Sequence, residues 1–379
     1  MTFYPFENFW LNCIGEKEHN VSVLEKFEKP IQGLSDQFTL DRPKNFTNYT
    51  TEENLLAYGL FFFPQTFVRV QFPMQEILNV LGWKPLDEKP LRVLDVGSGL
   101  GAGGLSVLWK LREKFSVPLE YTAYDHSPDA LQFLLRHADE LLPKDTVLST
   151  EIGDLKHLFK RFKEEDKWDV ILFSFSLNEG LGNATQAELE RYLQQVIRLL
   201  APNGFLLCVE PLLKTRTDIL QKAVEALDKQ KKAHLWAPGF GTAYPGKDLP
   251  HDVRSWDPPE SLKILNRKLF RSIEFLKYHF FVLGAEPMPL KLKRGPEICR
   301  LISPMIEAKG RFLWQGWGSD GKLYAYDLPT RDLNKAEIAS VQKLQRGDVL
   351  SLKNLEAQKL EDHFRLTRAS DIDLYLADS

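Results

Sequence analysis

Apolar and polar positions change rhythm along this chain, and each change predicts a different kind of element. Residues 1–50 are mixed and interrupted by turn-formers such as Asp41-Arg42-Pro43-Lys44-Asn45, which predicts short helices and loops. From Thr51 the pattern turns helical, with Thr51 able to cap a helix whose first turn carries Glu52 and Glu53 at its positive end. The aromatic run Tyr58 to Phe63 meets Pro64, where the pattern predicts an end or a kink and a second helix to about Leu81. Gly82-Trp83-Lys84-Pro85 then breaks the chain.

From Leu91 the rhythm is strand, helix, strand, helix. Arg92-Val93-Leu94-Asp95-Val96 is a short apolar strand running into glycines. Strands are expected at 119–124, 146–152, 168–175 and 205–209, with helices at 103–115, 128–141 and 185–200 between them. The strand at 168–175 is almost continuously apolar, as suits a strand buried on both faces. Alternation of this kind predicts an α/β fold, a doubly wound, mostly parallel sheet. After Pro211 come a helix to about Lys232, a Pro/Gly-rich loop over 234–259, a basic helix from Glu260 and a strand at 278–283. Arg311 to Trp317 and Lys322 to Tyr326 flank Gly318-Ser319-Asp320-Gly321, a hairpin in which Asp-Gly supplies the positive-φ residues. The expected organisation is a helical N-terminal region over 1–85, a sheet domain over 86–300 carrying the inserted loop 234–259, and a β-rich C-terminal extension over 301–379.

Composition adds little constraint: 43% hydrophobic and 27% charged residues suffice for a sizeable core. No window has the ~18 uncharged apolar residues of a membrane helix. The first residues lack the basic and apolar regions of an export signal, so a cytoplasmic location and no membrane partner are expected. Cys13, Cys208 and Cys299 are too scattered for a disulfide framework or a metal knuckle. With His234 and His251 as the loop's only histidines and no cysteine near them, no metal site is expected. Charge is more informative. The net −3 divides into −4 over 1–90, −5 over 91–210, +8 over 211–311 and −2 over 312–379. A basic segment beside an acidic body suits a polyanionic partner, or merely solvated helix faces.

The glycine loop Asp95-Val96-Gly97-Ser98-Gly99-Leu100-Gly101 carries the chemistry. A cofactor lying across a strand's carboxyl end needs bare backbone, and Gly97, Gly99 and Gly101 remove obstructing side chains. Gly99, Gly101 and Gly104 also satisfy the dinucleotide pattern, with Asp125 where a ribose acid belongs. Asp95 separates the two readings. A dinucleotide wants the helix N-terminus free for pyrophosphate. S-adenosylmethionine (SAM) brings no phosphate but a cationic amine, which an acid binds. The loop therefore predicts a class I SAM-binding methyltransferase fold, with a sheet of seven-stranded type.

Asp125 can take both ribose hydroxyls, or cap the helix that His126, Ser127 and Pro128 open. Asp154 can accept from the adenine amino group, or cap the next segment. His126, Ser98 and Ser174 complete the expected cofactor contacts. The fourth strand ends Ser174-Phe175-Ser176-Leu177-Asn178-Glu179, where the transferred methyl is faced. Asn178 and Glu179 are the polar candidates there. Glu179 could remove an acceptor's proton or cap the following segment.

These residues, taken in order, resemble the mitochondrial small-ribosomal-subunit methyltransferase-like proteins and their bacterial relatives. The similarity runs from Ala57-Tyr58 to Pro64, through the glycine loop and Leu177-Asn178-Glu179, to Phe280-Phe281-Val282-Leu283, Lys309-Gly310-Arg311 and Arg346-Gly347-Asp348. It implies a SAM fold and a partner in small-subunit ribosomal RNA. Family members with an iron–sulfur or metal site carry cysteines after the fifth strand. The stretch Ala237 to Trp256 has none here, so no thiolate-bound cluster is expected. The basic segment 211–311 would be the RNA-facing part. Its 19 Lys and Arg include Lys229, Lys231, Lys232, Lys291, Lys293 and Arg294, interleaved with Trp236, Phe240, Tyr244 and Trp256, which could stack on bases or fill a core. Three functions remain open: methyl transfer to small-subunit RNA, ribosome assembly without turnover, or small-molecule methylation under an N-terminal helical lid.

Overall fold

A computed structural model describes residues 3–39, 51–246, 250–269, 273–288, 291–331 and 333–375; the turn-formers 41–45 lie outside these. The chain divides into two units. The first comprises Met1–Met74, Asp87–Gly182 and Trp256–Leu276, the second Gln75–Leu86, Asn183–Ser255 and Lys277–Ser379.

In the first unit, short helices at Glu7–Cys13, Val21–Leu24 and Glu28–Thr39 precede a long helix, Glu52–Gln75. Pro64 neither ends nor divides that helix, contrary to the sequence pattern. Pro64 has no N–H to give the Leu60 carbonyl, four residues back. Here the Gln65 side-chain amide donates to the Phe61 carbonyl at 2.7 Å, in a buried setting, and the helix continues. Aromatic packing holds it in place: Trp10 lies where a side chain on Gly59 would be, and Phe6 meets Phe63 and Phe67 edge-on.

Four strands follow: β1 (Leu91–Val96), β2 (Leu119–Asp125), β3 (Thr146–Ile152) and β4 (Trp168–Ser174). They are parallel, in the order β3-β2-β1-β4. The chain thus steps outward from β1 to β3 and then returns to the other side of β1. Because crossovers between parallel strands are right-handed, the two directions place their helices on opposite faces, which is the doubly wound arrangement expected. The reversal leaves a crevice outside the carboxyl ends of β1 and β4. The glycine loop stands there.

The second unit holds β5 (Leu200–Glu210), β6 (His234–Ala237), β7 (Asp252–Ser255) and β8 (Phe275–Gly284). From Lys277 onward β8 runs antiparallel to both β5 and β6. The loop at 234–259 is therefore partly ordered as strand. A second sheet of eight strands follows: β9 (Ile298–Leu301), β10 (Ile306–Ala308), β11 (Arg311–Gly318), β12 (Leu323–Pro329), β13 (Val349–Leu352), β14 (Glu356–Ala357), β15 (His363–Arg365) and β16 (Ile372–Leu374). β11 and β12 form the expected hairpin, but in its Asp-Gly pair only Gly321 takes a positive φ. One face of this sheet packs Cys299, Phe312, Trp314, Tyr326, Leu328 and Leu350 into a core.

A buried ionic network ties distant parts of the second unit. Arg300 on β9 donates twice to Asp252, at 2.8 Å each, and once to Glu76 at 2.7 Å. Arg254 bridges Asp252 and Asp348, and the Tyr278 hydroxyl donates to Asp252 at 3.1 Å. Burial pushes the Asp252 carboxyl up, but Arg300 and Arg254 outweigh it and hold the group below its usual range. For Glu76 burial dominates, and its carboxyl is raised.

Candidate active site

β1 ends at Val96, and the chain must reverse into the Ala102–Lys114 helix within five residues. Gly97, Gly99 and Gly101 do this at φ values of 75°, 52° and 82°, a region costly for any residue with a Cβ. A methyl group on Gly97 would also strike Ser176, whose hydroxyl donates to the Val96 carbonyl at 2.5 Å. The loop's amides are largely committed inside the protein. Those of Gly97 and Ser98 donate to the Tyr124 carbonyl, Gly99 to Asp125 Oδ2 at 2.8 Å, and Gly101 to the Ser98 carbonyl.

Asp95 is 1% exposed. Its Oδ2 accepts from the Gly104 amide and from the Tyr121 hydroxyl, each at 3.0 Å. Gly104 lies in the first turn of the Ala102–Lys114 helix, so the anion at that helix N-terminus is Asp95. A Cβ on Gly104 would stand 2.6 Å from Asp95 Oδ2 and collide with Tyr121, which is the close approach this glycine permits. Asp95 Oδ1 is buried with no partner. Burial pushes the carboxyl up to about 7, against the Tyr121 and Gly104 hydrogen bonds that favour its charged form.

Asp125 ends β2 and is 4% exposed. It receives the Gly99 amide on Oδ2 and the Ser127 amide on Oδ1, each at 2.8 Å. The helix cap considered for it belongs to Ser127, whose hydroxyl accepts from the Ala130 amide. His126 Nδ1 lies 3.2 Å from Asp125 Oδ1. That hydrogen bond, opposed by partial burial and aided by the charges of Asp154 and Glu179, raises the imidazole above its ordinary value. Asp154 and Glu179, which follow β3 and β4, thus act electrostatically on a half-exposed ring that follows β2. Asp154 does cap the short turn at Leu155–His157, its Oδ1 accepting from the Lys156 amide at 2.7 Å.

At the end of β4, Ser174 Oγ is buried and unpartnered, packed where Gly103 leaves room. Phe175 adopts φ 63°, an outlier for an aromatic residue. Such strain persists only where the surroundings impose it, and it concentrates at functional sites. Asn178 is buried and Glu179 exposed on the short helix Leu177–Gly180. Glu179 does not cap the following helix: Thr185 and Glu188 form that capping box.

One deciding feature is now in place: an acid at the helix N-terminus, with one carboxylate oxygen left over. A pyrophosphate would meet that acid, whereas a cationic amine would complete it. Residues 87–253 match the family model described as a methyltransferase domain. Residues 87–253 are thus a SAM-dependent methyltransferase domain. The methyltransferase's cofactor is SAM, and its fold is the class I α/β arrangement.

Comparison with solved structures gives the CMeT domain of the citrinin polyketide synthase, 16% identical, with a TM-score of 0.39 over 71% of this chain and 66% of that one. A SAM-dependent methyltransferase from Leishmania major is 12% identical, with a TM-score of 0.39 over 74% and 92%. An arsenic(III) SAM methyltransferase from Chlamydomonas reinhardtii is 14% identical, with a TM-score of 0.33 over 57% and 72%. The chain thus spans just under two thirds of the first of these. No curated protein matches it significantly.

Sequence reasoning missed three residues at or against the candidate site. Tyr121 is 26 positions from Asp95 in the chain, although β1 and β2 are adjacent in the sheet. Phe175 read only as the strand's last apolar residue. Arg69, on the long N-terminal helix, stands 5.2 Å over the Phe175 ring and donates to Gln65 Oε1 at 3.4 Å. Helical spacing alone could have paired Gln65 with Arg69, but not Arg69 with Phe175.

The loop aromatics turn out to be core. Trp236 and Phe240 are fully buried, Trp256 is 9% exposed, and Tyr244 packs edge-on against Trp317 at 4.9 Å. The indole N–H of Trp236 donates to the Glu286 carbonyl, and that of Trp256 to the Ile273 carbonyl. Arg294 holds the carbonyls of Phe240 and Ser319. Lys293 pairs with Glu297 at 2.6 Å. Among the described residues no cluster of three metal-ligating side chains occurs, and no helix is long and apolar enough to cross a membrane.

Proposed function

We propose that the chain transfers the methyl group of SAM to RNA, the small ribosomal subunit being the source to which the sequence resemblance points. The observation that carries the methyl-transfer reading is Asp95 Oδ1, a buried acceptor with no donor beside a glycine-lined turn. In this reading Asp95 takes the methionine amine. Gly97, Ser98, Gly99 and Gly101 line the cofactor. Asp125 takes the ribose hydroxyls on lone pairs its two amide bonds leave over. His126 and Ser174 contact the cofactor, and Asp154 accepts from the adenine amine. When bound, SAM supplies an electrophilic methyl on a sulfonium. The chain's part is then to align the acceptor atom with it and to exclude competing water. In this reading Glu179, exposed and felt electrostatically by His126, receives the proton an amine or hydroxyl acceptor gives up. Asn178, buried one residue earlier, orients the acceptor.

The RNA acceptor rests on the +8 charge of residues 211–311 and on the ordered resemblance. A second reading has its own observation. Arg69 over Phe175 puts a guanidinium at the methyl-facing edge, which suits a small anionic acceptor held under the N-terminal helices.

Labelled SAM incubated with total RNA, protein and metabolite extracts in parallel distinguishes these. Label in RNA that is lost in Glu179→Gln is expected. Label in the metabolite fraction, lost in Arg69→Gln, would favour the second reading. SAM binding with no label in any fraction would leave assembly without turnover.

A further inference from the structure

The C-terminal sheet carries more positive charge on its outer face than its one buried anion needs. Asp327 on β12 is fully buried. Its Oδ1 accepts from His363 Nε2 at 3.1 Å, and its Oδ2 from Arg365 Nε at 3.1 Å and Arg311 NH1 at 3.4 Å. The register explains the convergence. Asp327 lies opposite Leu313 on β11 and Arg365 on β15, so Arg311, two residues before Leu313, and His363, two before Arg365, share its face. The opposite face, through Phe312, Tyr326 and Phe364, is the core.

A structural pair would need one guanidinium for one carboxylate. Two are supplied, with side chains 42% and 35% exposed, and each touches Asp327 through a single nitrogen. The rest of each planar fork is left toward solvent. The carboxylate beneath fixes both forks without using them up. Lys309, exposed two residues before Arg311, adds a cation at the same end of the hairpin. Glu356 faces Arg365 across β14, but no ion pair joins them.

We propose that the Arg311–Asp327–Arg365–His363 face of the C-terminal sheet binds the phosphodiester backbone of a nucleic acid strand. Planar forks suit phosphate oxygens, and two forks side by side on neighbouring strands suit the successive phosphates of a chain better than one free ion. The inference rests on the RNA reading above and moves the contact off the Lys293–Arg294 region, where both cations are engaged within the protein.

The test is fluorescence anisotropy with a labelled mixed-sequence single-stranded RNA over a salt series. The variant is R311Q/R365Q/D327N, which removes the buried anion together with its cations. Folding is checked by thermal melting and SAM affinity. Loss of two phosphate contacts should lower affinity at low salt by about tenfold or more and reduce the log–log salt slope by about 1.4. Unchanged affinity and slope in a folded variant overturn the proposal and leave the RNA reading standing. Absence of salt-dependent RNA binding in the wild type overturns both. If the triple variant fails to fold, R311Q alone decides: Asp327 keeps Arg365 and His363, so the loss of one phosphate contact should reduce the slope by about 0.7, and an unchanged slope and affinity count against the site. Saturable binding of inorganic phosphate without RNA binding, or displacement of RNA by poly-glutamate at equal charge, would also overturn it.

Discussion

Replacing Asp95 by Asn separates the cofactor's demand for a charge from the fold's cost of burying one. The side chains are nearly isosteric, and the asparagine oxygen can keep the Gly104 amide and Tyr121 hydroxyl bonds. The sign follows from the pKa. Asp95 is raised from 3.8 to about 7 on folding, so between these values the folded chain binds more protons than the unfolded one. Its contribution to stability therefore falls as pH rises through that window. Three pH units correspond to roughly 4 kcal/mol. Wild type should lose about this much more stability than D95N between pH 4 and pH 8, since the other titrating groups are common to both. SAM should respond in the opposite sense. Losing one charge-assisted hydrogen bond costs about 1.5–3 kcal/mol, roughly ten- to a hundredfold in affinity. In the wild type, affinity should weaken about tenfold per pH unit below 7, with proton release on binding. Urea titrations across pH and calorimetry in buffers of different ionisation enthalpy measure both effects. Parallel stability curves with equal SAM affinity would refute the account of Asp95.

Two further variants probe the glycine turn and the ionic network. Gly104→Ala should cost roughly 1–3 kcal/mol by overpacking and weaken SAM binding. Adding Tyr121→Phe, which removes the obstructing hydroxyl, should restore part of the stability, and equal melting temperatures for the single and double variants would contradict the contact. Arg300→Leu strands two buried carboxylates and should cost roughly 3–5 kcal/mol in urea unfolding. Pairing it with Glu76→Leu and Asp252→Leu should recover much of that, and no recovery would mean the arginine acts by packing alone.

The sheet was readable because β1 and β4 are short, nearly continuous apolar runs, a composition that burial on both faces imposes locally, and β1 and β2 are closed by a glycine and an acid. The glycine turn was readable for a similar reason: positive φ at three alternate positions leaves few choices of residue. The acids at 95, 125 and 154 lie where the strand ends put them. What could not be read depends on contacts between distant positions. Pro64 looked like a break because the aromatic packing that holds its helix comes from Phe6 and Trp10, more than forty positions away. The loop aromatics matched a stacking surface and a core equally well until β6 and β8 were seen to pair. Arg294 looked like a phosphate contact, yet its partners are carbonyls at 240 and 319. Arg311 and Arg365, 54 positions apart, carry no local mark of sharing one carboxylate.

The network around Arg300 bears on how the chain acquires its structure as it is synthesised. Glu76 emerges early, Asp252 much later, and the arginine that neutralises both only after nearly three hundred residues. Asp348, which completes the set through Arg254, follows later still. Until then Glu76 has no cation to be buried against and Asp252 has only the neighbouring Arg254, so Glu76 favours water over the interior. The second unit's interior can therefore close only near the end of translation, while β1 to β4 and the glycine turn are complete by residue 174. A fragment cut to the limits of the methyltransferase match, residues 87–253, would contain Asp252 but neither Glu76 nor Arg300.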